Sequence, residues 1–196
     1  FDAVADQTVS VDTTDDDVAG FTIVELDGAT EVDESGTTDT FTVVLDAQPT
    51  SDVVLTVTSD DTSEATVNSP LTFTPANWDT PQTVTVTGAD DSIIDGTITS
   101  IATVAVDDAN SDNDFDAVVD QTVSVDTTDD DVAGFTIVEL DGATEVDESG
   151  TTDTFTVVLD AQPSDNVVIA MSSSDIGEAT ISGTVSYTHL RAHETR

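Results

Sequence analysis

The 196-residue chain has no cysteine and no lysine, and its two arginines stand at positions 191 and 196. Without cysteine there is no disulfide framework and no thiolate metal site. A surface with almost no cations cannot neutralise phosphates, which excludes nucleic-acid binding. The same deficit gives no attraction to the anionic face of a membrane. Aromatic residues make up only 5% of the chain. Its longest apolar stretches are of the Ile101–Val106 kind, far short of the ~18 residues of a spanning helix, so no membrane insertion is expected of this segment.

What is present in quantity is acid. Asp and Glu together number 42, and the formal net charge is -40. Such a balance often marks disorder, but the hydrophobic fraction is 37% and falls in short β-branched runs, which favours folding. The length allows one to two domains.

Residues 1–49 recur at 115–163, an offset of 114, with Ala5 against Val119 as the one difference. Beyond Pro49 and Pro163 the copies diverge, although Glu64-Ala-Thr still matches Glu178-Ala-Thr. Solenoid units run to about 20–50 residues, so this period is a domain rather than a unit. The chain reads as a window onto a tandem array. Residues 1–17 are the last strand of a preceding repeat, 18–131 a complete repeat, and 132–184 the first half of another.

The end has a different character. Both arginines and both histidines, His189 and His193, fall in the final eight residues. Val185-Ser-Tyr-Thr-His-Leu-Arg-Ala-His-Glu-Thr195 resembles the translation of a transposase-type sequencing adapter. Residues 185–196 are therefore expected to be a non-native tail, the other reading being a native basic tail. The junction is soft, because Ser182–Thr188 also aligns with Asn68–Thr74.

Apolar residues alternate with threonine in Thr83-Val-Thr-Val-Thr87 and Thr8-Val-Ser-Val11, the period of a half-buried strand. Further strands are predicted at 21–25, 39–45, 53–58, 64–73 with a bend near Pro70, 98–106 and 121–125. Asp, Gly, Asn and Pro punctuate them. No stretch carries a useful helical period. The expected fold is all-β, an immunoglobulin-like antiparallel β-sandwich.

If successive strands alternate in direction, their loops alternate between two ends. One end then collects Glu31, Asp33 and Glu34; Asp60 and Asp61; Asp90, Asp91 and Asp95; and Asp129, Asp130 and Asp131. Two carboxylates 4 Å apart repel by about 1 kcal/mol even in water. With no Lys or Arg before position 191 to pair them, the available counter-charge is a bound metal ion. A donor set of oxygens alone selects Ca²⁺ over Zn²⁺ or Cu²⁺.

Val11-Asp-Thr-Thr-Asp-Asp-Asp-Val-Ala-Gly20, Phe21-Thr-Ile-Val-Glu25 and Val32-Asp-Glu-Ser-Gly36 together resemble the Calx-β domain. Phe73-Thr-Pro-Ala-Asn-Trp-Asp-Thr-Pro-Gln-Thr-Val-Thr-Val-Thr-Gly88-Ala-Asp-Asp91, followed by Ile94-Asp-Gly96, is similar to its variant repeated in very large bacterial exported proteins. The resemblance covers essentially all of 1–184. It implies an immunoglobulin-like sandwich and Ca²⁺ ligands at Glu34, Asp60 or Asp61, Asp90, Asp91, Asp95, Asp129, Asp130 and Asp131. Glu148 and Asp175 are the counterparts in the incomplete copy, and Asp15, Asp16 and Asp17 in the preceding one. The stretch after Asp91 is short, Ser92-Ile-Ile-Asp95-Gly, which leaves the number of ions open.

The expected function is that of a calcium-binding spacer or adhesion stalk of a secreted or cell-surface protein, stiffened where one repeat hands over to the next. Its partners are then the neighbouring repeats, with any surface or matrix ligand held by other regions. Two other readings stand beside it: an acidic scaffold adapted to salt, and an adhesin module without a specific ion. No enzymatic activity is expected, because no sequence feature sets one carboxyl apart from its neighbours. Trp78, the only tryptophan, is expected to plug one end of the sandwich rather than to stack on a sugar.

Overall fold

The computed structural model describes residues 7–187. The chain forms β1 (Phe21–Glu25), β2 (Thr30–Asp33), β3 (Thr38–Leu45), β4 (Val53–Ser59), β5 (Ala65–Val67), β6 (Leu71–Phe73), β7 (Gln82–Gly88), β8 (Ile98–Val106) and β9 (Gln121–Thr128). Four further strands follow: β10 (Phe135–Glu139), β11 (Phe155–Leu159), β12 (Val167–Ile169) and β13 (Val185–Tyr187).

The first nine strands make two facing sheets, ordered β1-β3-β7-β5 and β2-β9-β8-β4-β6. Alternation decides which side chains face inward. Val84 and Val86 of β7 are buried between threonines, as is Phe41 of β3, and Val43 and Leu45 continue the same buried face at alternate positions. They meet Leu55, Phe73, Val104, Val123 and Val125 from the opposite sheet in one core. Trp78 packs half-buried against that core, and its carbonyl accepts the Leu45 N–H. The result is an immunoglobulin-like antiparallel β-sandwich.

Two strands change sheets. The first breaks after Glu25, where Asp27 and Gly28 adopt φ of 59° and 85°, a left-handed pair that Asp-Gly tolerates at low cost. The chain then re-enters as β2, which runs parallel to β9 and pairs Thr30 with Val125 and Asp33 with Thr128. Sequence reading placed a plain loop here. With four residues, two of them acidic, β2 has too short a period to declare itself. The second change is the expected bend near Pro70, which separates β5 on β7 from β6 on β4. Neither change reverses the chain direction, so the ends of the sandwich stay as the strand count placed them.

The later strands repeat the earlier ones. Phe135 pairs with Leu159 as Phe21 does with Leu45, and Val167 pairs with Tyr187 as Val53 does with Phe73. The offset is 114 throughout. Residues 185–187 thus form a strand in repeat register, and the boundary drawn at 184 cuts through a paired segment. Residues 188–196, with the rest of the expected tail, lie outside the described residues.

Candidate metal centre

Glu34 follows directly on β2, and its N–H donates to the carbonyl of Thr128 at the end of β9. The parallel ladder therefore sets Glu34 beside the Asp129–Asp131 exit. A second constraint comes from β7. A Cβ built on Gly88 would lie 2.1 Å from the Asp33 carbonyl oxygen, so only glycine lets β2 press this close. Ala89 N–H then donates to the Glu64 carbonyl, at 2.8 Å. That contact joins the start of the 89–97 loop to the residue just before β5.

Two triads of carboxylates result. Glu34, Asp91 and Asp131 offer oxygens within 4.8 Å of one another, as do Glu64, Asp91 and Asp95. Asp91 belongs to both. Glu34 is 1% exposed and Glu64 5%, and buried carboxylates are ordinarily partnered. Here one oxygen each of Glu34, Glu64 and Asp131 is buried without a hydrogen-bond partner. The centre is built of acceptors and lacks a donor.

The electrostatics follow. Burial, with the charges of Asp91, Asp129, Asp95 and Glu64 added, pushes the Glu34 carboxyl up to about 7. Burial and then Asp95, Asp61 and Asp91 raise Glu64. Burial and then Asp91 and Asp129 raise Asp95. Burial and then Asp129, Asp130, Asp91 and Asp90 raise Asp131. The shift of Glu34, the one pushed furthest toward neutrality, comes from its burial beside four other carboxylates. Crowded carboxylates and burial together make a site that disfavours its own negative charge.

Asp129 behaves oppositely. Its carboxylate accepts the N–H groups of Gly96 (2.9 Å), Asp131 (2.7 Å) and Asp95 (3.0 Å), and these bonds lower its pKa. Asp129 clasps the 89–97 loop to the exit of β9, and so positions Asp95 and Asp131. Asp61 faces the centre through its charge on Glu64, while its Oδ1 accepts the Ser63 N–H at 3.0 Å. Asp60 is engaged elsewhere, its Oδ1 accepting the Ile101 N–H at 2.7 Å. Asp90 and Asp130 reach the centre only as charges on Asp131. Glu31 and Asp33 stay outside the two triads. The Glu31 N–H donates to Asp39 Oδ2 at 2.9 Å, and Asp33 Oδ1 accepts the Ser35 N–H at 2.8 Å.

Glu64 was missed in the sequence, where it reads as the start of a strand. A signal existed: Glu64-Ala-Thr survives as Glu178-Ala-Thr where the copies otherwise diverge. In the second copy Glu148 and Glu178 line a common cleft, whereas Asp175 Oδ1 caps Gly177 N–H at 2.9 Å. Asp15 and Asp17 lie at the opposite end of the sandwich. They line a cavity of about 550 Å³ with Gln48, Pro49, Asp114 and Phe115, and Asp16 is exposed beside them. At the acidic end the next copy's counterpart of Gln48 makes contact: Gln162 N–H donates to the Ser92 carbonyl at 2.6 Å, and Ile93 bridges to Gln162.

The residues fit a hard divalent cation. The donors are all oxygen, three buried lone-pair sites are unfilled, and Asp91 is shared as a bridging carboxylate would be. No helix among the described residues is long and apolar enough to cross a membrane.

The sequence matches no family model and no curated protein. Among solved structures it is similar to the apo form of the Calx CBD1 domain, at 16% identity and a TM-score of 0.41, over 57% of this chain and 98% of that one. It is similar to CBD12 from CALX1.2, at 16% identity and a TM-score of 0.40, over 85% of this chain and 69% of that one. A third is surface layer protein SbsC, domains 1-6, at 18% identity and a TM-score of 0.41, over 93% of this chain and 23% of that one.

Proposed function

We propose that this chain is a calcium-binding structural repeat of a large secreted or cell-surface protein, a non-catalytic spacer whose joints are stiffened by Ca²⁺. The observation that carries the reading is the pair of carboxylate triads sharing Asp91, with orphaned buried oxygens on Glu34, Glu64 and Asp131. Two ions are accommodated, one by Glu34, Asp91 and Asp131 and one by Glu64, Asp91 and Asp95. Asp129 orients the loop, and Asp61, Asp90 and Asp130 add negative field. A cation supplies the charge that lets these carboxylates stay ionised together.

Stiffening follows from where the site sits. Ser92 and Ile93, which hold Gln162 of the next repeat, lie between the proposed ligands Asp91 and Asp95. Fixing both ligands fixes the segment between them, and with it the joint. Extracellular modules bind Ca²⁺ at about 10⁻⁴–10⁻³ M, so such a joint is rigid outside a cell and slack within.

The test is thermal unfolding of the full chain in EDTA and with rising CaCl₂, against MgCl₂ and NaCl at equal ionic strength. A rise in melting temperature specific to calcium and lost in Asp91→Asn is expected. A hundredfold excess over the dissociation constant adds about 2.7 kcal/mol. Equal responses to the three salts would leave the acids as a screened, salt-adapted surface instead.

A further inference from the structure

We infer that Ser100 is a positioning residue of the metal centre, its hydroxyl holding the Glu64 carboxylate in place through one buried water. This deepens the calcium reading and rests on it.

Ser100 is polar where its neighbours are not. It faces inward from β8 on the same side as Ala102 and Val104, both in the core. It is 2% exposed, and its Oγ is buried without a hydrogen-bond partner. A lone buried hydroxyl loses its water and gains nothing, so an alanine here would be the cheaper residue. Among the described residues, the other buried side-chain oxygens in this state belong to Glu34, Glu64 and Asp131. Those three are acceptors of the metal centre. Ser100 is the one donor in the set.

The strand registers place Ser100 beneath Glu64. On one side, Ser100 pairs with Val125 of β9, which puts Thr127 diagonally beside it on the inner face. Thr127 is fully buried, and its Oγ1 donates to the Glu64 carbonyl at 3.4 Å. On the other side, Ser59 of β4 pairs with Ala102, and the Asp60 N–H donates to the Ile101 carbonyl at 3.0 Å. The 60–64 turn therefore leaves β4 alongside Ser100. It closes where the Ala65 N–H donates to the Asp61 carbonyl at 3.1 Å. Glu64 ends that turn as the chain crosses to β5 in the opposite sheet. The other two acceptors lie farther off. Glu34 follows β2, and β9 stands between β2 and β8, which makes two strand spacings or about 10 Å. Asp131 lies beyond the end of β9.

Ser100 and Glu64 share no direct bond, and one water spans such an interval. A buried water makes about three hydrogen bonds to groups otherwise unsatisfied. Ser100 Oγ and Glu64 Oε2 supply two of them. With one Glu64 oxygen held from the core side, the other is turned to the ion proposed between Glu64, Asp91 and Asp95. Partners that orient a ligand in this way tune metal affinity without touching the metal.

Calorimetric titration of CaCl₂ into the full chain and its variants tests this, with melting in EDTA to check the fold. Ser100→Ala removes only the hydroxyl. It is expected to fold as wild type does and to bind calcium about tenfold more weakly. In Glu64→Ala the remaining triad of Glu34, Asp91 and Asp131 still binds. Adding Ser100→Ala to that variant is expected to change nothing, because the group that Ser100 holds is gone. A serine that merely fills space predicts the reverse: a higher melting temperature for Ser100→Ala in EDTA and an unchanged calcium affinity. That result would overturn the proposal, as would a loss of affinity that persists undiminished in Glu64→Ala. A wild-type chain that binds no calcium would remove the metal centre itself, and the role of Ser100 with it.

Discussion

Gly88 and Asp33 meet backbone to backbone, so closely that a Cβ on the glycine would stand 2.1 Å from the aspartate carbonyl oxygen. The contact joins the two sheets at the acidic end and sets the separation between Glu34, which follows β2, and Asp91, which follows β7. Gly88→Ala forces β2 away. A destabilisation of about 1–3 kcal/mol is expected from the overpacking, with a weakened calcium response. Denaturant titration with and without CaCl₂ reads both.

Asp91 and Asp60 separate a proposed ligand from a carboxylate engaged elsewhere. Asp91→Asn removes the carboxylate shared by both triads and is expected to abolish the calcium-dependent rise in melting temperature. Asp60→Asn, whose carboxylate holds the Ile101 N–H, is expected to lower stability slightly and to keep the response. Calorimetric titration that shows the two variants binding alike would remove Asp91 from the site.

Without calcium, acid is expected to stabilise the repeat. Glu34 has a folded pKa of about 7 against 4.5 for the free group. Above pH 7 it is charged in both states, and the folded state bears the cost. As pH falls from about 7 to about 4.5 the folded state takes up the proton first, and stability rises by about 3 kcal/mol. Glu64, Asp95 and Asp131 shift in the same direction. Saturating calcium is expected to flatten or reverse this trend. Melting temperature against pH, in EDTA and in CaCl₂, gives the comparison.

Glu34→Gln follows from the same imbalance. It removes a charge that the apo fold disfavours, so melting in EDTA is expected to shift upward. The same change deletes a proposed ligand, so the increment from calcium is expected to shrink. A variant that melts lower in EDTA would mean that Glu34 is stabilised by something other than an ion.

At the far end of the sandwich Asp112 has the opposite sign. Its carboxylate accepts from Thr50 N–H and Oγ1, from Ser51 N–H and from Asp114 N–H. These bonds hold its pKa down to about 2. Its contribution is present above about pH 4 and is lost as pH falls toward 2, about 2 kcal/mol in all. Asp112→Ala is expected to cost a similar amount at neutral pH and to abolish that acid limb, while leaving the calcium response intact.

Alternation in runs such as Thr83–Thr87 made the main strands legible, and alternating strand direction by itself placed Glu34, Asp91, Asp95 and Asp131 at one end. Glu64 stayed hidden because an acid heading Ala-Thr-Val looks like a strand start, and its burial comes from β7 and the Asp91 loop closing over it. Asp60 and Asp61 could not be told apart, since neighbours in sequence differ only in which way the turn directs them. Strand β2 was invisible because four residues become a strand only when β9 lies beside them.

The sequence by itself determined the charge, the lack of any side-chain cation before position 189, the strand period and the 114-residue repeat. These are properties of composition and spacing, and no folding step alters them. Tertiary structure alone decided which carboxylates meet. That choice rests on the left-handed break at Asp27–Gly28, the parallel register of β2 on β9, and the close approach at Gly88. Each is a contact between distant segments, and distances of a few ångströms separate a cation site from a scatter of surface acids.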